Sequence, residues 1–422
     1  MNRIFNRHTL ILKQILVSFC ICLTLFSCGK SSNSDTRQTI KFWHFWSEPR
    51  QKAVLQEQIA LFEQLNPAIH VELTDLQWSD GKTKLMLGFN AHTAPDVVHL
   101  GFEWMPEFIG AGVLAPLSDS LAKDTADYFS PALQSLVAQK KLFALPWTMN
   151  TRAMMISKHA VPTIKLFGEQ GKSTWDMLRE IKKHSGISVF WGVNSAEPHN
   201  VLKKALPIIW SAGSNLFASV PLSKSFDSAA IVGLKFYLEM CEGGVQEQSR
   251  KLDDLFLQDR VATWITGQWI LDKAKDLNKD SSFIVIGEIP TKNHETIGYS
   301  ILGGDCLALS SQSKQSKSAE KLIQFLTAFK QSSVFCNKVS DAGFPATKQV
   351  FTPEYYERLS HHYIGFLKQI EHSRPLPSSP IFLDAERILE EEIMNAVYKK
   401  KSAKDALQSA KERIETIENK SR

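Results

Sequence analysis

The chain has 422 residues, 43% of them hydrophobic and 22% charged, an ordinary globular composition with room for two cores. The formal net charge is only +5, and part of it sits in Arg3, Arg7 and Lys13 at the start of the chain. No Lys/Arg-rich block with interleaved aromatics occurs, which argues against a nucleic-acid partner.

The first 28 residues read as a targeting segment: Arg3 and Arg7 precede an apolar core, Ile15–Phe26, and Ser27 precedes Cys28. Leu25-Phe26-Ser27-Cys28 resembles a lipobox, in which cleavage before the cysteine is followed by attachment of a lipid to its sulfur. A transmembrane anchor is the weaker reading. The apolar run is short for a span and leads into a polar tether, Gly29–Gln38, with no core-forming residues. Cys241, Cys306 and Cys336 then remain, far apart and without CxxC or metal-ligand spacing, so buried free thiols are expected.

Thr39–Phe45 predicts a strand, rich in β-branched and aromatic residues. Ser47 is placed to cap a helix that begins with Glu48 and Pro49 and carries Leu55, Ile59, Phe62 and Leu65 at helical spacing up to Asn66-Pro67. Ile69–Leu73 predicts a second strand, Lys84–Phe89 a helix, Asp96–Leu100 a buried strand and Met105–Gly110 another helix. This alternation is the grammar of a parallel sheet covered by helices on both faces, in which ligands bind beyond the carboxyl ends of strands. Those ends carry His44, Trp46 and Glu48, then Glu103 and Trp104.

Leu142–Arg152 predicts a first crossing between two bodies, because Pro146 stiffens the run and Trp147, Asn150 and Arg152 follow it. Helices are expected from Thr174-Trp175, over Val201–Trp210 and over Val232–Met240, with a buried strand at Phe283–Ile289. Gly298–Leu309, interrupted by Gly303-Gly304, predicts a second crossing, and Ala342–Ala346 a third break. Ala319–Phe329 predicts an amphipathic helix. The tail predicts two more, with apolar stripes Phe382–Ala396 and Leu407–Ile417 that suit core packing. The expected organisation is residues 1–28 as leader and 29–38 as tether. Residues 39–147 with 299–343 then form one lobe, and 148–298 with 344–422 the other.

Motifs for catalysis, metal or phosphate are missing. There is no GxSxG, HExxH or complete GxGxxG, and Gly171-Lys172-Ser173 lacks the first glycine of a phosphate loop, since Leu166 stands there. His361-His362 reads as a solvated helix face, so no metal and no cofactor are expected. Glu48 with Glu103 is a carboxylate pair that a glycan-cleaving enzyme could use. The enrichment that stands out is ten tryptophans, many beside turn or polar residues. Sugar rings pair apolar faces with a fringe of hydroxyls, so flat aromatics beside Glu, Asp, Asn and Arg suit them. Trp46, Trp104, Trp147, Trp191 and Trp269 are candidate platforms.

The chain also resembles an extracellular solute-binding protein of the maltose-binding type, the receptor of a carbohydrate ABC importer. The resemblance runs through Ile40–Trp46, Phe62–Val71, Ala94–Val98, Gly112–Leu117, Leu145–Trp147, Thr174–Asp176, Arg260–Ala262, Gly267–Trp269, Gly303-Gly304, Ala319–Phe325 and Phe344-Pro345. It departs at Ile156-Ser157-Lys158, where the family has Tyr-Asn-Lys, and at Asp259, where a glycine is common. For the family's late C-terminal aromatic, Phe382 is the nearest offer. The resemblance implies two doubly wound lobes that close on a sugar by hinge rotation, with no catalysis, and a permease that reads the closed form. It implies ligand contacts at His44, Trp46, Glu48, Glu103, Trp104, Trp147, Asn150, Arg152, Gln268, Trp269, Gly303, Gly304 and Asp305. It further implies a monomer held outside the cytoplasm by a lipid on Cys28. A receptor for a polyol phosphate, relying on Arg152 and lysines, is the alternative.

Overall fold

The structure, a computed structural model, describes residues 37–160, 174–195, 197–293 and 298–420. The leader, Cys28, nearly all of the tether and Gly171-Lys172-Ser173 lie outside the described residues.

The chain begins with β1 (Gln38–His44), α1 (Pro49–Leu65), β2 (Ile69–Asp75), α2 (Gly81–Asn90), β3 (Val97–Gly101) and α3 (Met105–Gly110). Strand β1 turns Ile40, Phe42 and His44 inward and leaves Thr39 and Lys41 exposed. All five residues of β3 are buried, as a strand covered on both faces requires. Helix α1 is capped one residue later than the sequence suggests. Glu48 is the cap and Pro49 opens the helix, while Gln51 Oε1 accepts the Glu48 N–H at 3.2 Å.

After short elements comes β4 (Ala144–Asn150), then β5 (Ala153–Ser157), α4 (Trp175–His184), β6 (Gly192–Asn194), α5 (Leu202–Trp210), α6 (Ser228–Cys241), β7 (Val245–Glu247), α7 (Ser249–Leu257), β8 (Thr263–Thr266), α8 (Trp269–Asp276) and β9 (Ile284–Gly287). The return begins with β10 (Ser300–Ser310) and continues with α9 (Ser316–Thr327), α10 (Phe329–Lys338), β11 (Phe344–Pro345), α11 (His361–Glu371), β12 (Ser373–Pro375), α12 (Phe382–Val397) and α13 (Ala403–Lys420).

The first sheet has the order β11-β4-β10-β3-β1-β2. Strands β1, β2 and β3 are parallel, whereas β10 runs antiparallel to both β3 and β4. The sheet is therefore mixed, because its long central strand arrives from the opposite body. In that second body β8-β5-β9 is antiparallel, and a bridge from Trp191 to Thr263 joins it to the β6–β7 pair. Helices α12 and α13 pack on this body, burying Phe382, Ala385, Leu389 and Ile393 along one stripe and Leu407, Ala410 and Ile414 along the other.

Strand β4 stays in the first sheet through Asn150, so the first change of body falls at Thr151-Arg152, not after Trp147. Likewise β11 pairs with β4 at Phe344 and Pro345, and the chain leaves the first body only before α11. The passages are stitched together: Thr151 Oγ1 donates to the Ile301 carbonyl at 3.0 Å, and Ser300 Oγ donates to the Arg152 carbonyl at 2.7 Å. Ser373 at the start of β12 meets the Thr151 hydroxyl at 2.7 Å. His361 is exposed, but His362 is buried with Nε2 3.1 Å from the Ile284 carbonyl, so only one of the pair forms a solvated face. Cys241, Cys306 and Cys336 are free and buried.

Candidate functional site: a cleft between the two sheets

A cleft of about 1180 Å³ opens between the bodies. That is somewhat above the usual range of small-molecule sites, roughly 300–1,000 Å³. One wall comes from the carboxyl ends of the parallel strands: Phe45–Glu48 after β1, Gln77–Ser79 after β2 and Gly101–Glu103 at the end of β3. The other wall carries Glu197, Asn200 and Lys203 around the start of α5, Ser249, Arg250, Asp253 and Asp254 of α7, and Trp269 with Asp272 of α8. Between them lie Asn150, Arg152 and Ile301–Asp305 at the crossings.

Four charges of this cleft, Glu103, Lys203, Arg152 and Asp253, act on one another. Lys203 Nζ from one wall lies 3.3 Å from Glu103 Oε1 on the other. Burial alone would push the Glu103 carboxyl up, yet Lys203 and Arg152 hold it below the usual carboxylate range. Burial pulls the Arg152 guanidinium down to about 10 against the opposing charges of Glu103 and Asp253. Arg152 Nη1 donates to Asn150 Oδ1 at 3.0 Å, and its guanidinium lies 4.5 Å from the Trp269 ring centroid. Asp253 accepts from the ring nitrogens of Trp264 at 2.7 Å and Trp269 at 3.3 Å. Beneath them Lys204 is buried, its ammonium 5.3 Å from the Trp264 centroid, and desolvation depresses its pKa strongly.

Among the residues expected at the site, Trp46, Glu48, Glu103, Asn150, Arg152, Trp269, Gly303, Gly304 and Asp305 line the cleft. The paired glycines also let β10 approach β4. A Cβ on Gly304 (φ +156°) would stand 2.2 Å from the Thr148 carbonyl, and one on Gly303 2.7 Å from Asn150 Oδ1.

Five expected residues do not line the cleft. His44 faces inward by the parity of β1. Trp147 is wholly buried against Phe335, 4.7 Å between centroids, and Trp191 packs edge-on to Tyr237 in the second core. Trp104 sits behind the wall, edge-on to Phe45 at 5.3 Å. Gln268 is buried with both side-chain polar atoms unpartnered, one step behind Trp269.

Sequence reasoning missed Trp78, Asn200, Lys203 and Asp253. Trp78 lines the cleft, is 47% exposed, and stacks one face on Phe45 at 4.4 Å and 28°. Its signal was available: it follows the carboxyl end of β2, the same rule that selected Trp46 and Glu103. Among the described residues no group of His, Cys, Asp and Glu could hold a metal ion, and no helix is long and apolar enough to cross a membrane.

A cleft at strand carboxyl ends, between two sheets joined by stitched crossings, defines a two-lobed small-molecule binding protein. The chain belongs to the bacterial extracellular solute-binding protein family, whose profile matches residues 46–331. A Brucella abortus (strain 2308) protein named only as a binding protein is 24% identical over 313 residues, covering 70% of this chain and 73% of that one. A maltotriose-binding protein of Pyrococcus abyssi (strain GE5 / Orsay) is 21% identical over 352 residues, covering 81% of this chain and 73% of that one. Among solved structures, the sugar-binding protein MalE of Xanthomonas citri superposes with a TM-score of 0.75 at 22% identity, covering 91% of this chain and 98% of that one. UgpB of Mycobacterium tuberculosis, in complex with glycerophosphocholine, superposes equally well, with a TM-score of 0.75 at 21% identity and coverage of 91% and 99%. Such likenesses establish the two-lobed fold.

Proposed function

We propose that this protein is the receptor of an ABC importer, which captures a neutral sugar or oligosaccharide between its lobes and presents it to a permease. The observation that carries the reading is the ring of Trp78. One face rests on Phe45, Trp104 and His99 border the ring, the residue is still 47% exposed on the cleft, and Glu48, Asn150 and Asp305 also line the space. An aromatic face bordered by hydrogen-bonding groups suits a pyranose. Two of the cleft's cations are committed and so less available to a polyol phosphate, since Glu103 engages Lys203 and Glu103 and Asp253 both act on Arg152; Arg50 and Arg250 are the other arginines on the lining. Glu103, held ionised by Lys203 and Arg152, does not suit the role of a glycosidase's acid, which needs a raised pKa. In the same reading Cys28 carries a lipid that tethers a monomer outside the cytoplasm. The lobes meet at the crossings at Thr151-Arg152, Ser300 and Ser373.

The test titrates the protein with glucose, maltotriose, maltotetraose and glycerophosphocholine, following tryptophan fluorescence and melting temperature. A saturable shift with a neutral sugar, with a raised melting temperature, is expected. A response to glycerophosphocholine alone, or release of free sugar from any glycoside, would overturn the reading.

A further inference from the structure

The cleft floor holds a histidine that no ligand can reach. His99, in the middle of β3, has no exposed surface. Its Nδ1 lies 3.1 Å from the backbone nitrogen of Phe45. A backbone N–H can only donate, so Nδ1 is the acceptor, and the proton of the neutral ring sits on Nε2. That nitrogen stands 3.3 Å from Asp305 Oδ1, while Thr148 Oγ1 donates to Asp305 Oδ2 at 3.2 Å. The Nε2 contact does not meet hydrogen-bond geometry, so it acts as a dipole against a charge. The ring cannot turn away easily: it stacks on Trp46 at 5.6 Å and 22°, and stands edge-on to Trp147 at 5.5 Å and 78°.

Asp305 lines the cleft at the point where β10 slips register against β4, between Asp305 and Cys306. The extra residue is on β4, where Trp147 is skipped between Thr148 and Pro146, so Asp305 stands opposite the bent stretch. A carboxylate in that position, only 7% exposed, needs donors behind it if one direction is to face the ligand. A histidine that served only to fill the core would need no more than the Phe45 amide. Here the same ring meets an amide on one nitrogen and a cleft carboxylate on the other.

We propose that His99 is a positioning residue: locked in one tautomer by the Phe45 amide, it aims the Asp305 carboxylate into the cleft, where that carboxylate accepts a ligand hydroxyl. This rests on the carbohydrate reading for the ligand, but not for the coupling between the two residues. His99 touches no ligand itself.

Two variants separate its parts. His99→Asn keeps an oxygen to accept the Phe45 N–H and removes the N–H dipole that faces Asp305, whereas His99→Gln keeps an amide N–H dipole near the place of Nε2. In the full-length protein, affinity for maltotriose is expected to fall roughly tenfold in Asp305→Asn, as loss of a charged acceptor implies, and several-fold in His99→Asn. His99→Gln recovers most of the affinity, and His99→Asn adds nothing in the Asp305→Asn background. Urea unfolding of the ligand-free single and double variants reads the same coupling without any sugar. Additive losses there, or equal damage from His99→Asn and His99→Gln to binding, would overturn the proposal. Failure of every sugar to bind the wild type would bring down the carbohydrate reading while the unfolding cycle still decides the role of His99.

Discussion

Trp78 and Trp147 show how far a residue type can be read without its neighbours. Trp78 follows the end of β2 and Trp147 lies inside β4, each near polar residues, and the sequence singled out Trp147. Its strand is buried on both faces, so alternation gives no clue to which side meets the ligand. The ring is enclosed by Phe335, His99, Trp46 and Phe42. Trp147→Ala therefore leaves a cavity and is expected to cost about 3–5 kcal/mol in urea unfolding. Trp78→Ala is expected to cost under about 1 kcal/mol yet weaken sugar binding roughly tenfold, because its exposed face does the binding. Equal effects of the two on stability would contradict this division. His44, also an expected ligand contact, has a different consequence. Burial pushes its pKa down to about 3. The unfolded chain binds the proton near pH 6.5 and the folded chain does not, so stability is lost as pH falls from about 6.5 toward 3. The full shift corresponds to about 4–5 kcal/mol. Melting temperature should drop over this window, and His44→Gln should flatten that drop.

At the scale of elements, what is local in sequence was legible and what depends on pairing was not. The alternation in β1, the apolar run of β3, the stripe of α1 and the two tail stripes predict elements that the structure contains. The antiparallel placement of β10, and the change of body at Thr151-Arg152, depend on which distant strand lies alongside, which periodicity does not encode. The bulge opposite Asp305 is of the same kind: its extra residue is Trp147 of β4, and the glycine pair on β10 does not signal it. Gly304 makes this testable. A methyl group there would stand 2.2 Å from the Thr148 carbonyl and 2.8 Å from the Phe102 ring, so β10 must move away from β4. Gly304→Ala is expected to destabilise the protein by about 1–3 kcal/mol. It should also lower ligand affinity, because Thr148 and Asp305 separate together. Unchanged affinity in a variant shown to be destabilised would mean that the strand pairing does not set the site.

At the scale of the molecule, the two bodies meet across the cleft through a charge pair as well as through their crossings. Glu103 closes the first wall and Lys203 reaches it from the second, both side chains largely shielded, at 18% exposure for Lys203 and 29% for Glu103. The pair exists only when the walls are close, so it biases the molecule toward closure before any ligand contributes. If the pair is worth about 1 kcal/mol, its loss lowers the closed fraction and raises the apparent dissociation constant by roughly fivefold. Lys203→Met removes the charge and keeps most of the length of the side chain. Two measurements distinguish a closure effect from the loss of a direct ligand contact, since Lys203 also lines the cleft. Small-angle scattering of the ligand-free protein should show a larger radius of gyration for Lys203→Met, with the saturated complexes identical. Wild-type affinity should fall with added salt while that of Lys203→Met barely responds, because the screened interaction is gone. An unchanged ligand-free radius with weakened binding would assign Lys203 to the ligand and remove the pair from the closing equilibrium.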